Sequence, residues 1–420
     1  MSMNRRSFLQ LAAGSAALSV CGFPSLVSAG DKVSIVVIGG GYGGATAARY
    51  LLDYLPGASV TLVEKNKDYY SCPFSNEVLG GEKSMDDIKF GYDGLAAKGV
   101  KVVIDEVTGV DMDGKKVSTA NSGKIPYDYL VVSPGISFRD NIEGYDAEVF
   151  PHAWKAGPQT VLLRKKLEAM EDGGVVMLAA PPNPFRCPPG PYERAAQIAH
   201  YLKHHKPKSK LIIMDSKDKF SKQGLFMEGY KKHYDGIVEW RSAANDGKVL
   251  AVNADSGELV TEFDEHKPAV ANVIPAQKAG VLASSLGLTD DSGWCPVDQR
   301  TFESSVHSDV YVIGDACIAG AMPKSGYSAN SQGKVCAAAI AAKVKGYEMP
   351  NPSYLNTCYS LITPEHGISV AAVYRLQDGT IAGVKGAGGL SPLNASDETR
   401  KAEAMYARSW FRNITTDLFG

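Results

Sequence analysis

The sequence predicts an α/β protein in which two Rossmann-like dinucleotide-binding units are followed by a small α+β unit. Three observations carry that prediction. Residues 34–47 read SIVVIGGGYGGATA, with Gly39, Gly41 and Gly44 in G-x-G-x-x-G spacing directly after the apolar run Ile35–Ile38. A second strand and helix pattern begins near Lys155, and no such glycines accompany it. Past residue 348 the chain changes character, with strand-like segments on either side of Asp378-Gly379 and a helix-like tail from Ser396.

The glycines have separate tasks. The first permits a tight turn, the second lets the backbone approach a pyrophosphate, and the third allows close packing of helix on sheet. A helix over Ala45–Leu55 would then face the phosphates with its N-terminus. The next strand, Val60–Val63, ends in Glu64 about 20 residues beyond Gly44, where a carboxylate holds a ribose hydroxyl. Lys65 adjoins it and is counted among the cofactor contacts.

Asn4-Arg5-Arg6-Ser7-Phe8-Leu9 is a twin-arginine pattern, followed by a modestly apolar stretch to Val20 and a Val27-Ser28-Ala29 cleavage site. The expectation is a leader over residues 1–29, export to the periplasm, and a mature chain starting near Gly30. A membrane anchor is the competing reading, but the stretch contains Gly14 and Ser15 and is shorter than the roughly 20 residues a span needs. Twin-arginine export carries folded proteins, so a cofactor can be inserted first.

About 390 residues then remain, enough for two or three domains with ample cores. The formal net charge of -2 gives no basic face for nucleic acid. Of seven cysteines, Cys21 belongs to the leader and six remain, in a compartment where disulfides persist. None has C-x-x-C spacing and no histidine cluster accompanies them, so no metal site is expected.

The domain plan follows the chain. Residues 30–154 form the first part of the nucleotide-binding domain, with β structure at Val100–Ile104 and Tyr129–Ser133. Within it, the loop KDYYSCPFSNEVLGG, containing Cys72 and Pro73, follows the ribose-binding strand and passes near the nucleotide. Residues 155–275 form the second unit, with helix Val161–Met170 and strand Val175–Ala179. An enzyme taking hydride from NAD(P)H should show a glycine fingerprint after that strand. Pro181–Pro191 stands there instead, and prolines offer no N–H to a phosphate. They also stiffen the segment that holds Cys187. Helix Tyr192–Lys203 and strand Leu211–Met214 continue the frame.

Residues 276–348 return to the first domain. Val310–Ile313 is a strand ending in Gly314-Asp315, the arrangement in which two-dinucleotide flavoproteins hold a flavin ribityl chain. Gly326 and Tyr327 then lead into an Ala-rich helix through Lys343, whose N-terminus can support negative charge on a reduced pyrimidine ring. Residues 349–420 form the last unit, carrying Cys358 and a tail with Met405, Tyr406, Trp410 and Phe411. That tail could cover the domain, meet a partner or lie on a membrane. Cys317 and Cys336 read as small buried side chains, and no role is assigned to them or to Cys295.

Together, the twin-arginine leader, the G-G-G-Y-G-G turn, Tyr70-Ser71-Cys72-Pro73, the proline-bracketed Cys187, Gly314-Asp315 and Cys358 resemble the flavoprotein subunit of flavocytochrome c sulfide dehydrogenase. The resemblance covers essentially the whole chain and implies a glutathione-reductase-like fold. It implies FAD carried on Cys72 through an 8α thioether, Cys187 and Cys358 as a redox-active disulfide with Cys358 facing the flavin, and Glu193 as a nearby carboxylate. A c-type cytochrome is the implied partner. This sequence has no C-x-x-C-H, so haem would belong to that partner.

The chemistry follows from the residues. HS⁻ attacks a disulfide sulfur, leaving a persulfide on one cysteine and a thiolate on the other. A flavin accepts two electrons together and passes them on singly. Glu193 could move protons around the persulfide, although a helix glutamate on the surface is the plain alternative. Three competing functions stay open: a membrane sulfide:quinone oxidoreductase, an NAD(P)H-dependent reductase, and a non-enzymatic flavin-bearing interaction protein.

Overall fold

In the computed structural model, which describes residues 33–420, β1 (Ser34–Ile38) runs through the glycine turn into α1 (Tyr42–Tyr54). The predicted leader lies outside the described residues. Ile35, Val36 and Val37 are at most 1% exposed, so both faces of β1 are covered, as a parallel strand requires. Gly39 has φ +96°, and a Cβ there would stand 2.3 Å from the Ser133 carbonyl oxygen; one on Gly44 would stand 1.8 Å from the Gly39 oxygen. The helix begins at Tyr42, ahead of the predicted Ala45, because Gly43 and Gly44 lie inside it. Close packing there overrides their poor helix propensity.

β2 (Ser59–Glu64) and β3 (Lys101–Ile104) extend the sheet on one side of β1, with α2 (Ser75–Gly80) in the connection between them. β4 (Tyr129–Val132) lies on the other side. The outermost strand, β11 (Val310–Val312), arrives from far downstream, giving the order β11-β4-β1-β2-β3 with every neighbouring pair parallel. β5 (Ile136–Phe138) leaves this sheet and pairs antiparallel with β10 (Gln277–Ala279), joining the outgoing chain to the returning one.

Between them lies a second α/β layer. It comprises α3 (Pro158–Ala169), β6 (Val175–Ala180), α4 (Gly190–His205), β7 (Lys210–Asp215), α5 (Gln223–His233), β8 (Val238–Arg241) and β9 (Val270–Val273). Its sheet order is β8-β7-β6-β9, again all parallel. α4 starts two residues before the predicted Tyr192, with Pro191 in its first turn, where a missing N–H costs nothing.

After β11 the chain enters α6 (Gly326–Lys345), capped by Ser325, whose Oγ accepts from the Ser328 N–H at 3.1 Å. β12 (Ser353–Thr363), β13 (His366–Gln377) and β14 (Thr380–Leu390) form an antiparallel sheet. Asp378 and Gly379 join the last two with φ +50° and +78°, the signs a primed hairpin turn needs. α7 (Asp397–Phe419) is capped by Ser396 and packs on β12 and β13.

The end of α7 reaches the first sheet layer. Asp417 accepts from Tyr50 Oη at 2.9 Å and Asn330 Nδ2 at 3.0 Å, and pairs with Lys334 at 2.8 Å. The Phe419 ring lies 5.1 Å from that of Phe90 and 5.4 Å from that of Tyr69. Such aromatic pairs add about 1 kcal/mol each beyond area burial. Phe411 is buried on this side of the helix, whereas Met405 and Tyr406 stay exposed.

Candidate active site

Each cysteine the sequence singles out sits where a local feature turns it inward. Ser71, before Cys72, is completely buried and hydrogen-bonds Tyr42 Oη at 2.9 Å. Cys72 Sγ faces the Trp154 carbonyl at 3.5 Å. Phe74, two residues on, has φ +69° and swings the chain into α2. Cys187 has φ +58°, and its N–H donates to the Lys324 carbonyl at 2.7 Å. That bond ties the proline-rich segment to the chain leading into α6. On β12, Asn356, Cys358 and Ser360 alternate onto one face. Cys358 Sγ lies 3.4 Å from Asn356 Oδ1, which also accepts from Ser325 Oγ at 2.6 Å.

These segments meet around a cavity of about 80 Å³ whose lining includes Cys72, Pro73, Cys187, Glu193, Tyr327 and Cys358. Gly326 and Trp410 are also on its wall. All six cysteines among the described residues are free thiols in this structure. Burial pushes the Cys187 thiol up, and Cys358 and Glu193 add to that, against the pull of Lys222 and Arg186. Burial raises the Cys358 thiol as well; Lys222 opposes it first, then Asn356 and Ser325.

Glu193 is held in a buried network. Its Oε1 accepts from the Leu361 N–H and its Oε2 from Asn76 Nδ2, both at 2.9 Å. Burial raises its pKa, opposed by those two donors and by Lys222 and Arg194. Arg194, 2% exposed, donates to Asn76 Oδ1, Asn272 Oδ1 and the carbonyls of His152 and Ala153. Glu77 lines the same cavity, and its pKa is pushed up to about 7, first by burial.

A neighbouring cavity of about 410 Å³ is lined by Gly314, Asp315, Lys324, Ser325 and Ser328, and shares Ser325 with the first. Asp315 pairs with Arg186 at 3.8 Å, and burial raises its carboxyl. Gly39, Gly41, Gly44 and Glu64 line neither cavity. Glu64 Oε2 accepts from the Gly40 N–H at 2.7 Å, which fixes the carboxylate at the mouth of the glycine turn. Lys65 is exposed. Cys295, Cys317 and Cys336 are buried, and burial pushes the first two up to about 12.

The same residues suit a flavin dinucleotide. Three residues on the cavity walls carry a buried polar atom without any partner among the described residues: Asp315 Oδ1, beside Gly314, Trp154 Nε1 and Trp410 Nε1. An orphaned acceptor at the end of β11 suits a ribityl hydroxyl, and a Cβ at Gly41 would meet nothing nearer than the Tyr69 ring at 3.5 Å, so the turn is open to a phosphate. The residues fit the group. Among the described residues no cluster of His, Cys, Asp or Glu could hold a metal, and no helix is long and apolar enough to cross a membrane.

Reasoning from sequence missed Arg194, Asn76, Trp154, Glu77 and Lys222. Arg194 and Gln197 interrupt the apolar face of α4, a signal that could have been read; the others carry none.

Comparison with known proteins assigns three stretches. The pyridine nucleotide-disulphide oxidoreductase family matches residues 33–167. The central region of the sulfide dehydrogenase [flavocytochrome c] flavoprotein chain matches 160–275, and the flavin-binding region of flavocytochrome c sulphide dehydrogenase matches 350–419. Mitochondrial sulfide:quinone oxidoreductase of Dictyostelium discoideum is 24% identical over 68% of this chain and 65% of its own length. That of Mus musculus is 23% identical over 69% and 66%. The chain thus spans just under two thirds of these relatives. The solved sulfide:quinone oxidoreductase of Aquifex aeolicus superposes with a TM-score of 0.73 at 17% identity, covering 92% of each chain, a likeness of fold.

Proposed function

We propose that this chain, which belongs to the flavoprotein family of flavocytochrome c sulfide dehydrogenase, oxidises sulfide through Cys187 and Cys358 and passes electrons by way of FAD to a c-type cytochrome subunit. The observation that carries this reading is one cavity lined by Cys72, Cys187, Glu193 and Cys358, residues drawn from four separate segments. In the oxidised enzyme Cys187 and Cys358 form a disulfide. HS⁻ adds to one sulfur, the S–S bond breaks, a persulfide S–SH forms there, and the electron pair leaves on the other sulfur as thiolate. Glu193 takes the persulfide proton.

Bound FAD supplies an acceptor that takes two electrons together and releases them singly, as a haem partner requires. The turn Gly39–Gly44 and the N-terminus of α1 would hold its pyrophosphate, and Glu64 the adenosine ribose. Asp315 would hold the ribityl chain. Gly326 and Tyr327 lie at the N-terminus of α6, whose dipole favours negative charge. Cys72, on the cavity wall, would carry the covalent bond to the flavin. The twin-arginine pattern supports a periplasmic setting, where an exported cytochrome is the natural oxidant.

The test is anaerobic titration with sulfide while the flavin spectrum is followed. Bleaching at one equivalent of sulfide supports the reading; an unchanged spectrum with dithionite-reducible flavin defeats it. A second reading, quinone as acceptor, is favoured by the two mitochondrial relatives. Reoxidation by added cytochrome c but not by a soluble quinone separates the two.

A further inference from the structure

Lys222 is buried, 5% exposed, at the residue before α5, with φ +60°. Its Nζ donates to Ser360 Oγ at 2.8 Å and stands 5.7 Å from the Phe226 ring. Neither partner is charged. An ammonium taken out of water to meet a hydroxyl and an aromatic face is expensive unless a negative charge stands nearby. Ser360 is two residues beyond Cys358 and on the same face of β12, so the strand separates the two by only about 6.7 Å. Burial lowers the pKa of Lys222, and Cys358 opposes that first, followed by Glu193, Cys187 and Glu403.

We propose that Lys222 is a positioning residue that holds Cys358 as a thiolate once its bond to Cys187 is open. The inference deepens the sulfide-oxidising reading and rests on it for the opening of that bond. Opening puts an electron pair on one sulfur, and the ammonium tethered one pleat away on β12 makes Cys358 the sulfur that keeps it. The other groups facing Cys358 do not replace that charge. Glu193 on α4 opposes a thiolate, Cys187 competes for the same cation, and Tyr374 on β13 brings no positive charge. Ser325 and Asn356 offer only neutral dipoles, and Arg186 acts on Cys187. Lys222 opposes the effect of burial on both thiols.

The experiment measures Cys358 directly. On a Cys187→Ser background, the rate of iodoacetamide alkylation at Cys358 is followed anaerobically against pH by peptide mass spectrometry. Lys222→Met should raise the midpoint of that profile by a unit or more, slowing alkylation about tenfold below it. Lys222→Arg, which keeps the charge, should leave the midpoint within a few tenths of its parent. Ser360→Ala, which cuts the tether and spares the ammonium, should shift it in the same direction by less, and it serves if the Met variant does not fold. An unmoved midpoint in Lys222→Met, or in Ser360→Ala when that variant stands alone, overturns the proposal. No sulfide enters the assay, so a protein unable to oxidise sulfide would defeat the proposed function and leave this result standing.

Discussion

Replacing Glu193 by Gln pits one amide against two fixed donors. The Leu361 N–H points at one carboxylate oxygen and Asn76 Nδ2 at the other. Asn76 cannot turn its amide over, because its Oδ1 already accepts from Arg194 Nε at 3.0 Å. A glutamine side chain has one acceptor where the carboxylate has two, so its NH₂ must face either the Leu361 N–H or the Asn76 NH₂, donor against donor. One charge-assisted hydrogen bond is lost and one buried donor is stranded, together about 3 kcal/mol. For domains of this size each kcal/mol moves the midpoint by a few degrees, so Tm should fall by roughly 6–10 °C. Thermal unfolding of the yellow protein, followed by circular dichroism and flavin fluorescence, reads that number. Sulfide-dependent bleaching in the same variant should slow by about 10²–10⁴-fold if Glu193 moves the persulfide proton. A Tm within a degree of the parent refutes the hydrogen-bond argument. Undiminished bleaching refutes the proton role.

Other outcomes follow from the same wall of residues. In Cys72→Ser the flavin should come free on acid precipitation, while the parent pellet stays yellow; a colourless parent pellet ends the thioether assignment. Cys187→Ser and Cys358→Ser should each stay folded and yellow and bleach with dithionite, yet lose sulfide-dependent bleaching by orders of magnitude, and near-normal turnover in either excludes the disulfide mechanism. Glu77 is raised from 4.5 to about 7, so between those values the folded state binds a proton that the unfolded state releases. Its contribution is complete below about 4.5 and is lost as pH rises through 7, a change of about 3 kcal/mol. Urea midpoints of Glu77→Gln should therefore lack that decline, and identical pH profiles for parent and variant would contradict it.

The fold was legible where the information is local. The spacing of Gly39, Gly41 and Gly44 after an apolar run specifies a strand, a bend and a helix within a dozen residues, and the α/β class follows from its partial repetition near Lys155. The helix starts at Tyr42 rather than Ala45, with Gly43 packed where a Cβ would stand 2.8 Å from Ser133 Oγ, a neighbour that no local window contains. Cys187 could be singled out by the prolines around it, and Cys72 and Cys358 through the family resemblance. Asn76 and Lys222 could not, since what makes each of them matter is a partner brought from another layer: Glu193 and Ser360.

α7 is a rod of about 34 Å at 1.5 Å per residue. Midway along it, Ala407 and Trp410 form part of the sulfur cavity, and at its far end Asp417 grips Tyr50 on α1, the helix that opens at the glycine turn. One helix therefore supplies both a wall of the thiol chamber and a clasp on the helix that opens at the glycine turn, so a substitution that shifts α7 along its axis alters two sites at once.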